Sequence, residues 1–353
     1  MSNFLRLASE FIAKNELIDM QDKVVVGFSG GPDSVALLLC LDELGYDCIA
    51  VHIDHSLRGD ESDGDAKFAQ NFCEDRNIPF RLFKFDCNGY ALQKSLGTEE
   101  AARNKRYEIL DDVACEFARA DKNTCIAVAQ NQNDQVETLI MRLIRGTGIE
   151  GLEGIQEKRD SLKGIPIVRP ILNQSREDII AFLEKRGISY RLDSSNAEPD
   201  YFRNRVRLAL ENIDKNKPFG DEIDSKFISK SILRLCENVK TDSSVLKRMA
   251  EDAYEKALAD NKPGVSNEGA AAGEVVLQAK ELINLDESIR YRVIKRAFWD
   301  VGLKADIEKV HLTAANKMIL KGIGNKVCEF PNGYKMTMNK GLLTFLAPEE
   351  SLR

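Results

Sequence analysis

The sequence predicts an α/β protein with a doubly wound parallel sheet, followed by a mostly helical C-terminal domain that ends in a small β meander. Two observations lead to this fold class. Between residues 20 and 145, short apolar runs rich in β-branched residues alternate with helical patterns, as in repeated strand–helix–strand units. After about residue 215, long helical stretches replace that alternation, and short strands separated by the turns PNG and NKG close the sequence.

The strands are predicted from apolar runs that lack the polar alternation of a half-exposed sheet. Such runs are typical of parallel strands, because helices cover both of their faces. The predicted strands are KVVVGF, CIAVHID, FRLFKFD, TCIAVAQ and GIPIVRPI, and ISYRLD is expected to continue the pattern. The predicted helices are 34–44, 62–77, 99–119 and 177–188, then 223–260 and 280–322, before the meander of KVCEF, YKMTM and LLTFL.

Composition limits the classes of protein to consider. The 353 residues are 43% hydrophobic and 30% charged, which is typical of a soluble globular protein of two or three domains. No apolar run approaches the ~20 residues that cross a bilayer. The eight cysteines form no C-x-x-C pair, which favours reduced thiols in a cytoplasmic protein. The net charge of -7 argues against indiscriminate nucleic-acid binding but leaves room for a local basic groove.

The segment VVVGFSGGPDSVALLL, residues 24–39, places small and polar residues between a predicted strand and a predicted helix. Glycine permits close backbone approach, and a helix start offers unpaired N–H groups at the positive end of its dipole. Together they favour an anion cradle for phosphate, formed by Ser29, Gly30, Gly31, Pro32, Asp33 and Ser34. The Asp33 carboxylate repels bare phosphate, so the pattern indicates a nucleotide with Mg²⁺. A turn whose glycines serve packing alone is the structural alternative.

Several segments resemble known enzyme families. S-G-G-x-D-S after a first strand resembles the pyrophosphate loop of the N-type ATP pyrophosphatases, which implies a Rossmann-like sheet of the adenine nucleotide alpha hydrolase type. Four further segments resemble, in the same order, motifs of the tRNA(Ile)-lysidine synthetases. They are 52–73 (H-x-x-H-x-L-R), 98–110 (E-x-x-A-R-x-x-R-Y), 129–155 (D-Q-x-E-T through R-G-x-G-x-x-G-L) and 169–207 (R-P through Y-x-R-N-x-x-R).

The resemblance implies an ATP-dependent carbon–nitrogen ligase. Such enzymes cleave ATP between its α and β phosphates and adenylate the wobble cytidine in the CAU anticodon of an isoleucine tRNA. Free L-lysine then displaces AMP to give lysidine. The implied cofactors are ATP and Mg²⁺, and the implied partners are that tRNA and lysine, with no membrane. Residues 1–215 are expected to form the catalytic domain and 216–353 the tRNA-recognition domain, while the assembly state is left open, with a homodimer as one alternative.

The residues that match the family's motifs receive expected roles. The catalytic set is Asp33, Arg103, Asp134, Glu137 and Arg205. A lysine amine with a pKa of ~10.4 must lose a proton before it attacks, so the site should hold an ammonium group. Asp134 and Glu137 are three residues apart at a predicted helix start, and they are expected to face away from the core and bind lysine or Mg²⁺. Asp33 and Asp134 are the expected metal ligands. The opposite, buried face is expected to consist of Val136, Leu139, Ile140, Leu143 and Ile144.

The remaining expected roles concern basic side chains. Arg103 is expected to neutralise α-phosphate charge as the adenylate forms. His52 and His55 are assigned to the nucleotide site, and Arg58 to the substrate. The segment YFRNRVR is expected to bind tRNA phosphate or the flipped cytidine through Arg203, Asn204, Arg205 and Arg207. For each of these side chains, an ordinary ion pair or a packing role is the structural alternative.

Two positions depart from the family's pattern. Gln130 stands where the family usually has histidine, and it cannot titrate, so an acid–base role there is in doubt. Asn133 replaces a second acid, which leaves Asp134 as the principal carboxylate. Among the alternatives, a tRNA thiolase would need a reactive cysteine or a C-x-x-C pair, and neither is apparent. A non-catalytic RNA-binding protein is disfavoured by the intact pyrophosphate loop and acids.

Overall fold

A computed structural model describes residues 2–55, 60–119, 123–191, 202–218, 220–258, 274–304, 306–322, 324 and 326–348. The chain divides into two compact units, Met1–Glu237 and Asn238–Arg353. None of the described helices combines the length and the hydrophobicity that a membrane span requires. The domain boundary expected between residues 215 and 216 divides the chain by function and not by compactness, so it stays a prediction.

The first unit is built on a sheet with a central strand, β1. Its described strands are Lys23–Gly27 (β1), Asp47–Asp54 (β2), Phe80–Lys84 (β3), Thr124–Ala127 (β4), Lys158–Asp160 (β5) and Pro166–Val168 (β6). The strand order is β3-β2-β1-β4-β6-β5, and neighbouring strands are parallel except at β5–β6. After β1, the chain adds β2 and β3 on one side of that strand, and β4 then pairs with its other side. This switch point opens a crevice at the carboxyl ends of β1 and β4.

Helices cover both faces of this sheet. They are Asn3–Lys14 (α1), Pro32–Glu43 (α2), Asp60–Glu74 (α3), Cys87–Lys94 (α4), Thr98–Ala118 (α5), Gln132–Arg145 (α6), Ile149–Leu152 (α7), Arg176–Glu184 (α8) and Phe202–Asn216 (α9). Side chains alternate across a strand, so Val24 and Val26 pack into the core with α1, α2, α3 and α8. Val25 packs against α5 on the opposite face. The predicted doubly wound fold is confirmed.

The structure also corrects the predicted pattern of strands. β5 is antiparallel and was not predicted, because its three residues, Lys-Arg-Asp, carry no apolar signal. ISYRLD does not form a strand up to Arg191, and its last two residues lie outside the described part. Instead, the Arg191 N–H donates to Gly30 O at 2.9 Å, so this segment ends against the loop after β1.

The second unit has its own helices and an antiparallel sheet. The helix Ser225–Ala257 (α10) spans the division between the units, and Ala279–Ile283 (α11), Glu287–Asp300 (α12) and Lys309–Lys321 (α13) follow. The strands Glu274–Gln278 (β7), Val327–Glu329 (β8), Lys335–Asn339 (β9) and Leu342–Leu346 (β10) pair in the order β7-β10-β9-β8. The predicted meander is therefore confirmed, and β7 is an additional strand. Phe298 of α12 lies 4.0 Å from the Phe330 ring and 5.0 Å from the Phe345 ring, which joins the helices to the sheet.

Candidate functional site

The loop after β1 is a tight turn that requires glycine. Gly30 has φ of +84°, a conformation that disfavours any side chain, and a Cβ there would lie 3.2 Å from the Phe68 ring. Gly31 is the N-cap of α2, and Pro32 occupies the first helical turn, where its missing N–H costs nothing. The loop therefore presents the amino end of α2 at the carboxyl end of β1, as expected of an anion cradle.

Two hydroxyl groups hold this turn together. Ser34 Oγ donates to Gly31 O at 3.0 Å and accepts from the Ser29 N–H at 3.2 Å. The Ser29 and Ser34 hydroxyl oxygens lie 3.2 Å apart, and the Gly31 N–H donates to Ser29 Oγ at 3.4 Å. The structure thus brings both predicted serines to the cradle, where they fix its shape.

Asp33 lies in the first turn of α2 and contacts two other elements. Asn131 Nδ2 donates to its Oδ1 at 3.0 Å, and the Arg176 guanidinium lies 3.8 Å from its Oδ2. Burial raises the pKa of Asp33, while the charge of Arg176 opposes that rise and the charge of Asp134 adds to it. The sequence does not predict the contact of Arg176 with Asp33, because a first-turn arginine on α8 carries no signal of a contact 143 residues away.

The donor set around Asp33 fits Mg²⁺ in the way nucleotide sites bind it. Asp33 and Asp134 are two carboxylates close enough for mutual repulsion, which a cation between them would relieve. No group of three or more His, Cys, Asp or Glu side chains in the described part forms a metal cluster. Mg²⁺ usually takes one or two protein carboxylates and completes its shell with water and substrate phosphates, so a pair of acids suffices.

The start of α6 is fixed by a capping box. Asn131 Oδ1 accepts from the backbone N–H groups of Asn133 at 2.9 Å and Asp134 at 3.1 Å. Asp134 Oδ2 accepts in return from the Asn131 N–H at 3.0 Å. Because the Asn131 amide also binds Asp33, this one side chain joins the loop after β1 to the predicted acids on α6. The sequence N-Q-N-D carries the signal of this cap, an asparagine three residues before an acid.

Glu137 corrects the expectation that both acids face away from the core. It is 2% exposed, because two arginines of α9 cover it. Arg207 Nε donates to Oε1 at 2.9 Å, and Arg203 Nε lies 3.6 Å from Oε2, which accepts no hydrogen bond in the described structure. Burial raises the pKa of Glu137, and the Arg207 hydrogen bond and charge oppose that rise. Arg203 also lies 3.9 Å from Asp134.

The apolar face expected on α6 is only half correct. Val136 and Leu139 are buried, whereas Leu143 is 47% exposed and Ile144 is 64% exposed. The spacing predicted one continuous buried face, but among the described residues no element buries the side chains of Leu143 and Ile144 in the last turn of α6. This end of the helix therefore presents an apolar surface beside Arg145.

A pocket of about 420 Å³ opens next to the acids. Thr138 and Arg203 line it, and Arg203 also contacts both acids, so the pocket and the acids are adjacent. Of the described residues, five arginines and two glutamates contribute to its wall: Arg103, Arg142, Arg159, Arg169, Arg203, Glu150 and Glu153. This excess of guanidinium groups suits a small anion such as a carboxylate.

Arg169 explains what Gln130 does in place of histidine. Arg169 is 3% exposed and donates from Nε to Gln130 Oε1, and from Nη1 to Gln156 O at 2.6 Å. Burial lowers the pKa of Arg169. Gln130 therefore orients a buried arginine of the pocket. The sequence does not predict this contact, because Arg169 stands at the end of a predicted strand and its spacing from Gln130 gives no sign of a hydrogen bond.

The structure places the other predicted residues less centrally. His52 is 4% exposed, its Nδ1 lies 2.8 Å from Phe28 O, and burial lowers its pKa, so it supports the loop from behind. His55 contacts the Phe85 ring and lies 3.3 Å from Arg106 Nη2. Arg58 lies outside the described residues. Arg103 reaches the pocket, and its guanidinium lies 5.2 Å from the Tyr107 ring centroid.

On α9, the acid pair is contacted by Arg203 and Arg207 and not by Arg205. The Arg205 guanidinium instead lies 5.4 Å from the centroid of the Phe202 ring. Asn204 stands between these faces and is half-buried. The catalytic role expected for Arg205 stays a prediction.

Comparisons with known proteins match the part of the chain that contains these residues. A family model described as "PP-loop domain" matches residues 2–213. A protein named tRNA(Ile)-lysidine synthase from Clostridium acetobutylicum is 34% identical over 336 residues, which cover 94% of this chain and 67% of that protein. A protein of the same name from Parabacteroides distasonis is 38% identical over 248 residues, which cover 70% and 53%. The chain thus spans about two thirds or less of the length of these relatives.

Among solved structures, the U34-tRNA thiolase NcsA from Methanococcus maripaludis overlaps 66% of this chain and 79% of its own, at 22% identity and a TM-score of 0.49. Likeness at that level indicates nothing about activity.

Proposed function

The chain belongs to the tRNA(Ile)-lysidine synthase family of PP-loop proteins, and we propose that it joins free L-lysine to the wobble cytidine of an isoleucine tRNA with a CAU anticodon. ATP adenylates the cytidine with release of pyrophosphate, and lysine then displaces AMP. The product lysidine changes the codon and amino-acid specificity from Met to Ile. The observation that carries the proposal is the Asn131 side chain, which joins the pyrophosphate loop to the acids of α6.

The nucleotide is assigned to the loop after β1. The backbone N–H groups at Gly30 and Gly31 and the hydroxyls of Ser29 and Ser34 would bind the departing pyrophosphate. Asp33 and Asp134 would hold Mg²⁺, which would neutralise phosphate charge when bound. Arg103, which lines the pocket beside the acids, would stabilise the α-phosphate as negative charge develops there.

Lysine is assigned to the pocket and the adjoining acids. Its carboxylate suits the arginine-lined wall, and its ammonium group suits Asp134 and Glu137. Glu137 suits the role of proton acceptor, because burial raises its pKa above that of an ordinary glutamate. Arg203 and Arg207 contact its carboxylate, so they would orient the base.

The cysteines favour this reaction over sulfur transfer. All eight are free, and burial raises the pKa of Cys40, Cys48 and Cys73 to about 12. A thiol with such a pKa is almost entirely protonated at neutral pH, so it is a poor nucleophile. Free thiols also suit the reducing cytoplasm, which is the location we propose.

Residues 216–353 are assigned to recognition of the tRNA, as part of the same proposal. A homodimer also stays a prediction, which the mass of the purified protein in light scattering would test. A single peak at the monomer mass would remove it.

The test is incubation with ATP, labelled lysine and an isoleucine tRNA transcript that carries a CAU anticodon, followed by nucleoside mass analysis. We expect lysidine at the wobble position and one equivalent each of AMP and pyrophosphate. A methionine tRNA transcript, which has the same anticodon, serves as the control and should stay unmodified. Pyrophosphate release that depends on ammonia or a sulfur donor, without lysine incorporation, would overturn the proposal.

A further inference from the structure

Helix α9 presents two different faces, and the proposed reaction uses one of them. Arg203 and Arg207 are four residues apart and contact Glu137. Phe202 and Arg205 are three residues apart and lie on the neighbouring face. The guanidinium groups of Arg145 and Arg205 each lie 5.4 Å from the centroid of the Phe202 ring. We call Arg145, Phe202 and Arg205 the Phe202 platform.

The charges of this platform are not neutralised within the described structure. Arg145 and Arg205 are exposed, and neither lies within ion-pair distance of a described carboxylate. Arg203 and Arg207, on the other face of the same helix, are both paired with an acid. Two unpaired guanidinium groups beside one aromatic ring therefore form a site of strong positive potential with a flat apolar element.

Two exposed apolar side chains extend this surface. Leu143 is 47% exposed and Ile144 is 64% exposed, and both precede Arg145 on the last turn of α6. Apolar surface, an aromatic ring and free guanidinium groups are the combination that binds unpaired nucleotides. Bases stack on the ring or on guanidinium planes, and phosphates pair with the arginines.

We propose that the Phe202 platform stacks an unpaired base of the RNA, namely a nucleotide next to the cytidine that is modified. This inference rests on the proposed function, because it takes the target cytidine to lie at the acids of α6. Arg145 follows Glu137 by eight residues, which is about 12 Å along the helix at ~1.5 Å per residue. The platform thus lies beside the reacting group. This position suits a neighbouring nucleotide and not the target base itself.

The first experiment measures binding of an RNA anticodon stem–loop with the CAU sequence to the full protein, without ATP. We expect Phe202→Leu to weaken binding about 5- to 150-fold, the range for loss of one stacked base. Phe202→Trp should retain the affinity. Phe227→Leu is the control, since Phe227 is an exposed phenylalanine of the first unit, whereas Phe202 is half-buried. Equal affinities for the wild type and Phe202→Leu would overturn the proposal.

The arginines and the RNA provide independent readouts. Arg145→Gln and Arg205→Gln should each lower the slope of log affinity against log salt by about one, whereas Phe202→Leu should leave it unchanged. Arg6→Gln, which removes an exposed arginine paired with Glu10, should change neither quantity. Abasic substitution of each nucleotide beside the target should weaken binding to the wild type at one position. That penalty should vanish in Phe202→Leu, and an undiminished penalty there contradicts stacking on this ring.

Lysidine formation on intact tRNA separates this inference from the proposed function. Phe202→Leu should raise the KM for tRNA and leave the turnover at saturating tRNA within a few-fold of wild type. If the wild type makes no lysidine at all, the proposed function fails, while the stem–loop measurement still tests the platform. A lowered unfolding temperature with unchanged RNA affinity would mean that the ring only joins α6 to α9, and it would refute the platform.

Discussion

Replacement of Glu137 by glutamine is the sharpest test of the acids on α6. The change removes a negative charge and keeps the shape, so Arg207 Nε retains an oxygen acceptor at the position it now occupies at 2.9 Å. A hydrogen bond to a charged group contributes ~1.5–3 kcal/mol and a neutral one ~0.5–1.5, so the loss from this contact is about 1 kcal/mol. The arginines are about 30% exposed, and water limits any further cost.

The effect on catalysis is expected to be much larger. A positioned general base contributes ~10²–10⁴-fold to a rate, whereas 1 kcal/mol lowers the unfolding temperature of a unit of this size by only ~2–4 °C. We therefore expect Glu137→Gln to fold normally, to release pyrophosphate from ATP and tRNA at nearly the wild-type rate, and to form lysidine at least ~100-fold more slowly.

The assay is single-turnover release of pyrophosphate, measured alongside incorporation of labelled lysine. Hydroxylamine, which is unprotonated at neutral pH, should react with the adenylated tRNA equally well in both enzymes. The matched control is Glu177→Gln, because Glu177 is an exposed acid of the same unit. Unchanged lysine KM and turnover in Glu137→Gln would refute the role of this carboxylate, and so would equal loss of both steps.

Three further predictions concern neighbouring residues. Asn131→Ala should lower the free energy of unfolding in urea by ~0.5–2 kcal/mol, because α6 loses its cap. It should also weaken ATP binding, because Asp33 loses a hydrogen bond. ATP affinity equal to wild type would contradict the connection between Asn131 and the nucleotide site. Arg169→Lys should raise the lysine KM about 10-fold, since a buried two-bond donor is lost, with the KM for ATP unchanged as the control. Burial raises the folded-state pKa of Asp33, so its stability contribution is present at low pH and is lost as pH rises through that value. Relative to Asp33→Asn, wild type should therefore gain stability from pH 7 down to ~4, and a constant difference would refute this.

The sequence was enough to predict those parts of the fold that depend on local patterns. Continuous apolar runs predicted the parallel strands, because burial on both faces leaves no room for polar alternation. The requirement for Gly30 was equally local, since the turn after β1 needs a positive φ. The strand Lys158–Asp160 could not be predicted, because its pairing with β6 depends on backbone hydrogen bonds and not on its charged side chains.

The parts of the site that the sequence did not predict depend on distant contacts. Glu137 was expected to be exposed, and it is buried because arginines 66 and 70 residues later in the chain fold over it. Helical spacing predicted that Leu143 would be buried, but spacing alone does not say whether another element covers that turn. The pocket likewise combines arginines from segments that are far apart in the sequence, and only the fold brings them together.

The central claim is that Asp33 and the acids of α6 form one site in which two successive steps occur. The most direct measurement follows pyrophosphate and lysidine over one turnover in Asp33→Asn and Glu137→Gln, with CAU isoleucine tRNA, ATP and lysine. We predict that Asp33→Asn blocks the release of pyrophosphate, while Glu137→Gln releases it and accumulates adenylated tRNA. Release of pyrophosphate by Asp33→Asn at the wild-type rate, or arrest of both variants at the same step, would contradict the account.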